Sequence, residues 1–202
     1  MGTEETKIAP ALPGTLDLIR RRWSPRAFSE RPVSSQDLAL LLEAARWAAS
    51  SSNEQPWRFI IAKKSDPATH QRLLESLVEA NQAWARNAPL LLLMAAKRTF
   101  TSNGSPNRFA LHDTGMALAN LMLQATSMGI HAHAMAGFDR ERARVSFAIP
   151  EDFELGAAVA VGYLGDPASL SAKHQQSELA PRSRKPLEAL AFGGEWGQPA
   201  VL

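Results

Sequence analysis

The sequence predicts a mixed fold in which helices pack on a small sheet of about four strands. Several segments repeat apolar residues at helical spacing. Between them lie short, strongly apolar runs such as Pro89–Ala96, too uniform to alternate, which suits a strand covered on both faces. The 202 residues contain no internal repeat, low-complexity tract or long linker, so one domain is expected over 1–202, with residues 1–13 and 193–202 as tails.

The elements follow in order. A short helix over about Thr15–Arg22 carries the run Arg20-Arg21-Arg22. Ser34 is a candidate N-cap, with Asp37 at the position a capping box uses, and opens a helix through about Ala48. Leu38, Leu41, Leu42 and Ala45 share its inner face. Trp57–Ala62 is aromatic and β-branched and reads as a strand. Asp66-Pro67 combines a cap with proline at the first helical position and predicts a helix to about Arg86. Leu73, Leu74, Leu77, Val78 and Trp84 form its expected core stripe, which Asn81 interrupts. A polar amide on an apolar face must have its hydrogen bonds met, and bonds to backbone would meet them.

Ser105-Pro106 predicts the start of the longest helix, closing at Gly129. From Gly115 to Ala125 this helix is apolar nearly all round, apart from Asn120 and Gln124, and a subunit interface is the simplest cover. Ile130–Phe138 and Leu155–Tyr163 are two further strands, separated by a short helix from Asp139 that Pro150 closes. Beyond Gly165 the chain reads as polar and irregular until a short helix at Pro186–Phe192.

Composition narrows the chemistry. A formal charge of +2 is too small for a nucleic-acid coat. With no cysteine there are no disulfides, thiolate nucleophiles or iron–sulfur ligands. Met1–Ile8 is polar and lacks the apolar core of a signal peptide, and the longest apolar runs are about half a membrane span. A cytoplasmic protein with no membrane or nucleic-acid partner is expected. No G-x-G-x-x-G turn, Walker A loop or G-x-S-x-G elbow is present. His131 and His133 share one side of a strand, but no third ligand stands at a recognisable spacing, so no metal is expected. His70, His112 and His174 read as surface or packing residues, and no carboxylate pair stands out as acid and base.

Three polar segments remain. The first is Arg21-Arg22-Trp23-Ser24-Pro25-Arg26-Ala27-Phe28, whose forked guanidinium donors suit phosphate. The second is the loop Ser50-Ser51-Ser52-Asn53-Glu54-Gln55-Pro56-Trp57, feeding a strand. The third is Pro181-Arg182-Ser183-Arg184-Lys185-Pro186, where Arg182 and Arg184 face the same way in extended chain. Taken singly they read equally as a solvated basic face, a helix-end loop and a basic tail.

Together, in this order, they resemble the nitroreductase family of flavoenzymes. Asp113-Thr114-Gly115-Met116-Ala117-Leu118-Ala119-Asn120-Leu121 is similar to that family's central helix. Ala136-Gly137-Phe138 is similar to its turn at the flavin, and Val161-Gly162-Tyr163 to its last core strand. The resemblance spans roughly Leu16 to Leu187. It implies an α+β fold, a three-layer α-β-α sandwich around a mainly antiparallel sheet of four to five strands. It also implies a homodimer with FMN at the subunit interface, NADH or NADPH as donor, and a small flat acceptor such as a nitroaromatic or quinone.

The site residues it implies are Arg21, Arg22, Trp23, Ser24 and Arg26 for the phosphate, ribityl chain and ring edge, with Arg182 and Arg184 on the phosphate. Ser50, Ser51 and Asn53 would reach the partner's flavin, Asn81 the pyrimidine end of the ring, and Ala136 and Gly137 the flavin N5 through backbone N–H. No side chain is expected as a catalytic acid or base, because the flavin is the reactive centre. Two positions depart from the pattern: Trp23 stands where many members have arginine or histidine, and Trp84 where some have a lysine near the ring, leaving Arg26 as the substitute donor. The alternatives are different flavin chemistry on the same fold (flavin fragmentation, dehalogenation or ring oxidation) and an FMN-binding protein without turnover.

Overall fold

In the computed structural model, which describes residues 6–201, side-chain caps mark the starts of several helices. Helix α1 spans Asp17–Arg21 and α2 spans Ser35–Arg46. The Asp37 N–H donates to the Ser34 hydroxyl at 3.0 Å, and the Thr69 N–H donates to the Asp66 carboxylate at 3.2 Å, just ahead of helix α3 (Pro67–Ser76). Each bond satisfies a donor that the first helical turn leaves open.

Strands β1 (Trp57–Lys63), β2 (Leu90–Lys97), β3 (His131–Met135) and β4 (Phe153–Gly162) form one antiparallel sheet in the order β1-β2-β4-β3. Central strand β2 is buried on both faces, as its unbroken apolar run requires. Its alternate side chains supply two cores. Leu91, Leu93 and Ala95 pack with Leu73 and Leu77, with Trp84 of α4 (Glu79–Ala85) and with Ala143 of α6 (Arg140–Ser146). Leu90, Leu92 and Met94 pack with Leu38 and Leu41 of α2 and with Ala117 and Leu121 of α5 (Ala110–Ser127). The architecture is the expected α+β, three-layer α-β-α sandwich, with four antiparallel strands at its centre.

Several boundaries differ from the sequence reading, for long-range reasons. The single helix expected from Pro67 to Arg86 breaks at Leu77 and Val78, whose ψ values are 154° and 150°. Leu77 bridges Phe138, and the Val78 N–H donates to Gly137 O at 3.1 Å. These bonds replace helical ones and leave Val78 46% exposed, so it is not part of the core stripe. The longest helix starts at Ala110 and not at Ser105, because Pro106 bridges Thr99 and the Asn107 N–H donates to Arg98 O at 2.7 Å. Its end is as read: Gly129, at φ +66°, lies just past the cap residue Met128. Helix α7 (Ala172–Leu179) lies in the stretch read as irregular, and Pro186–Phe192 contains only one 3-10 turn, Leu187–Ala189. Strand β3 stops at Met135, three residues short of the expected Phe138, where the 136–138 segment turns to meet Leu77 and Val78.

Helix α5, apolar all round in sequence, is covered on one side only by its own chain. Leu111, Gly115 and Ala119 are exposed, and Leu118, Met122 and Leu123 are partly covered. No helix among the described residues is long and apolar enough to cross a membrane.

Candidate functional site

The first arginine segment lies along the end of β4. Phe28 bridges Leu164, the Ser29 N–H donates to Tyr163 O at 2.9 Å, and the Gly165 N–H donates to Ala27 O at 2.9 Å. Within this segment the Arg26 N–H donates to both oxygens of Glu178 at 2.9 and 3.0 Å, and the Ala27 N–H donates to one of them at 3.0 Å. On the other side, His133 Nδ1 stands 2.8 Å from Pro25 O. Burial, more than any other influence, lowers the His133 pKa to about 4, so the ring is neutral at pH 7. A carbonyl can only accept, so Nδ1 carries the proton.

Three guanidinium groups meet beside this segment. Arg22 donates from Nη1 to the Ser24 hydroxyl at 3.2 Å. Burial, and then the charge of Arg184, pushes its pKa below the ordinary value. Burial does the same to Arg182, followed by the charges of Arg22 and Arg184. Arg182 Nη1 donates to Lys7 O at 2.8 Å and to Arg20 O at 2.6 Å, which leaves its Nε and Nη2 donors for something else. Among the described residues no carboxylate forms an ion pair with Arg22, Arg182 or Arg184. Like charges gathered without a counterion, with forked donors to spare, favour a bound dianion. Lys7 closes one side: its ammonium donates to Ala180 O and lies 5.1 Å from the centre of the Trp23 ring.

Not every residue of the first segment joins this cluster. Arg21 turns to the surface and pairs with Asp17 at 3.6 Å. The Trp23 ring is buried and meets His131 edge-on at 6.0 Å.

A second group surrounds the 136–137 turn. The half-buried Asn81 donates from Nδ2 to Gly137 O at 3.0 Å. A Cβ at Gly137 would lie 2.9 Å from that nitrogen and 3.0 Å from Val78 Cγ2, so a larger residue there would displace the Asn81 amide from this bond. One helical turn beyond Asn81, the buried Trp84 ring packs on His133 at 4.6 Å and on Phe28 at 6.3 Å, with the Arg26 guanidinium 6.0 Å from its centre. Phe28, His133 and Trp84 thus connect the arginine segment to the 136–137 turn.

The Ser50–Asn53 loop stands elsewhere. Ser52, Asn53 and Gln55 adopt left-handed φ of 52°, 53° and 53°, a conformation that non-glycine residues rarely hold. The Gln55 N–H donates to the Ser50 hydroxyl at 3.0 Å, and the Ser51 N–H donates to the buried carboxylate of Asp113, in the first turn of α5, at 2.9 Å. The other oxygen of Asp113 holds the exposed His112 ring at 3.0 Å. This loop leads into β1, on the edge of the sheet opposite β3. Three strand spacings, about 14 Å, separate those edges.

The fold therefore brings Arg22 and Ser24 to Arg182 and Arg184, and Asn81 to Gly137, while Ser50, Ser51 and Asn53 stay apart from both within one chain. Sequence reasoning missed Glu178, Lys7 and Asp113 as organisers of these segments. Asp113 carried a weak signal, a lone carboxylate on an apolar helix; Glu178 and Lys7 carried none.

Comparison with known proteins identifies the family. The model of the nitroreductase family matches residues 19–163. An NADH dehydrogenase of Thermus thermophilus is 30% identical, over 76% of this chain and 88% of its own. An uncharacterized 15.4 kDa protein of Mycolicibacterium smegmatis is 37% identical, over 62% of this chain and 84% of its own. The crystal structure of an oxidoreductase containing FMN aligns with a TM-score of 0.89 at 35% identity, covering 95% of this chain and 98% of that one. By sequence and by fold, the chain belongs to the nitroreductase family.

Proposed function

We propose that this protein is an FMN-dependent oxidoreductase that takes two electrons from NADH or NADPH and passes them to a nitroaromatic, a quinone or a similar flat acceptor. The observation that carries the proposal is the cluster of Arg22, Arg182 and Arg184, which has no carboxylate counterion among the described residues and suits a phosphate dianion. The names of the Thermus relative and of the FMN-containing structure support the same reading. Bound FMN supplies the hydride-accepting chemistry. The three arginines hold its phosphate, and Ser24 and Arg26 reach the ribityl chain and ring edge. Asn81 borders the pyrimidine end, and the 136–137 turn offers its backbone N–H groups to the ring. Ser50, Ser51 and Asn53 act across a subunit interface, because their own chain keeps them from the arginine cluster.

The sequence has no glycine-rich dinucleotide turn, so the nicotinamide must occupy the space the acceptor also needs. One pocket used twice predicts ping-pong turnover. Double-reciprocal plots with a quinone acceptor should be parallel, and NADH or NADPH alone should remove the flavin's visible absorbance under anaerobic conditions. Intersecting lines would rule out the shared pocket. Retention of the absorbance with both nucleotides would favour an FMN holder or a different flavin chemistry.

The same proposal includes a homodimer. It is motivated by the open apolar face of α5, with Leu111, Gly115 and Ala119 exposed, and by a site divided between the end of β4 and the loop leading into edge strand β1. Such interfaces bury on the order of 2,000 Å² or more. Light scattering at low micromolar concentration should report about twice the chain's 22.0 kDa. A flavin-loaded monomer would exclude the dimer.

A further inference from the structure

The peptide unit joining Pro25 to Arg26 is gripped at both ends. Its carbonyl accepts from His133 Nδ1 at 2.8 Å, and its N–H donates to Glu178 at 2.9 and 3.0 Å. Two side chains from distant parts of the chain, one on β3 and one on α7, leave this plane no freedom to rotate. Arg26, which follows it, and Ser24, one residue before Pro25, belong to the proposed cofactor site. We propose that Glu178 and His133 are positioning residues for that site, setting FMN affinity by orienting the 25–26 peptide; this rests on the FMN reading above.

Glu178 is the more telling of the two. Its carboxylate is 1% exposed and accepts three backbone bonds, two from Arg26 and one from Ala27. A buried carboxylate is costly unless hydrogen-bonded and balanced by positive charge, and an apolar residue would fill the space at lower cost. Lys7 supplies part of that positive charge: burial lowers its pKa, and the nearby Glu178 carboxylate partly offsets the shift. The arm bearing Arg182 and Arg184 leaves α7 immediately after Glu178, where Ala180 O takes the Lys7 ammonium and Lys7 O takes Arg182. One carboxylate therefore holds the Ser24–Arg26 loop and the start of the arm together. Two halves of the arginine cluster, far apart in sequence, become one unit.

The test uses the full chain, titrated with FMN and followed by flavin fluorescence and visible absorbance. Glu178→Gln keeps the shape, but its amide has a single oxygen and turns an N–H toward backbone donors. It should weaken FMN roughly tenfold to a hundredfold, the scale of a hydrogen bond to a charged group. His133→Asn places an amide nitrogen near the position of Nδ1 and should stay within about threefold of the wild type, whereas His133→Leu, without a donor, should lose roughly tenfold. The absorbance bands of bound FMN should shift in Glu178→Gln and His133→Leu but not in His133→Asn. Rescue by asparagine separates donation from packing, since both histidine variants remove the ring. Equal FMN affinity and identical bands for His133→Asn and His133→Leu would overturn the proposal, and so would wild-type affinity in folded Glu178→Gln. Should Glu178→Gln fail to fold, the histidine pair decides. A wild-type protein that does not bind FMN would overturn the cofactor reading, and this proposal with it.

Discussion

Replacing Arg182 and Arg184 together with alanine should give a protein that purifies without FMN and that binds FMN far more weakly, while riboflavin binding changes much less. The two flavins differ in the phosphate alone, so the ratio of their affinities isolates the contribution of these arginines. Losing one partner of a desolvated charge pair costs roughly 2–5 kcal/mol, and more exposed pairs fall at the lower end. Arg182 is partly buried and Arg184 exposed, so at least a hundredfold loss in FMN affinity is expected, about 2.8 kcal/mol at 1.4 kcal/mol for each tenfold step. The single variants should differ in kind. Arg182 also ties the Lys7 and Arg20 carbonyls, so Arg182→Ala should lower thermal stability as well as affinity. Among the described residues Arg184 bonds only to the neighbouring Ser183 O, so Arg184→Ala should affect binding and leave stability nearly unchanged. Equal weakening of FMN and riboflavin by the double variant would assign these arginines to some role other than the phosphate.

Gly165→Ala should be among the most destabilising single-methyl changes in the chain. A Cβ there would lie 2.5 Å from both the carbonyl carbon and oxygen of Phe28 and 2.9 Å from the Ser29 nitrogen. These are backbone atoms, and the Ser29 N–H is already bonded to Tyr163 O just after β4, so no side chain can swing aside. Overpacking typically costs about 1–3 kcal/mol and occasionally more, and contact with backbone places this site at the upper end. For a chain of this length, about 3 kcal/mol lowers Tm by roughly 6–12 °C. Gly165 also anchors the end of the Arg22–Phe28 segment, so FMN affinity should fall with stability. Wild-type Tm in Gly165→Ala, measured by calorimetry, would show that this segment is free to move away from β4.

What could be read from sequence alone was whatever neighbouring residues decide among themselves. The Ser34 and Asp66 caps each bond an N–H three residues ahead, and Gly129 ends α5 by its own left-handed φ. The uniform apolar run of β2 and the alternating cores it supplies follow from composition and strand period. The arginine-rich segments were visible for the same reason, since a guanidinium announces its chemistry wherever it stands. Tertiary structure decided the features whose partners are remote. Leu77 and Val78 leave the helix because Phe138 and Gly137 offer bonds no local pattern encodes, and this break carries Asn81 out of the core stripe to the 136–137 turn. Helix α7 has little apolar signal of its own, and its anchor is Glu178, bonded to Arg26 and Ala27 on the far side of the sequence. Which arginines meet, and that the Ser50–Asn53 loop stays apart from them, depends on strand order, and strand order is set by long-range pairing that residue spacing does not contain.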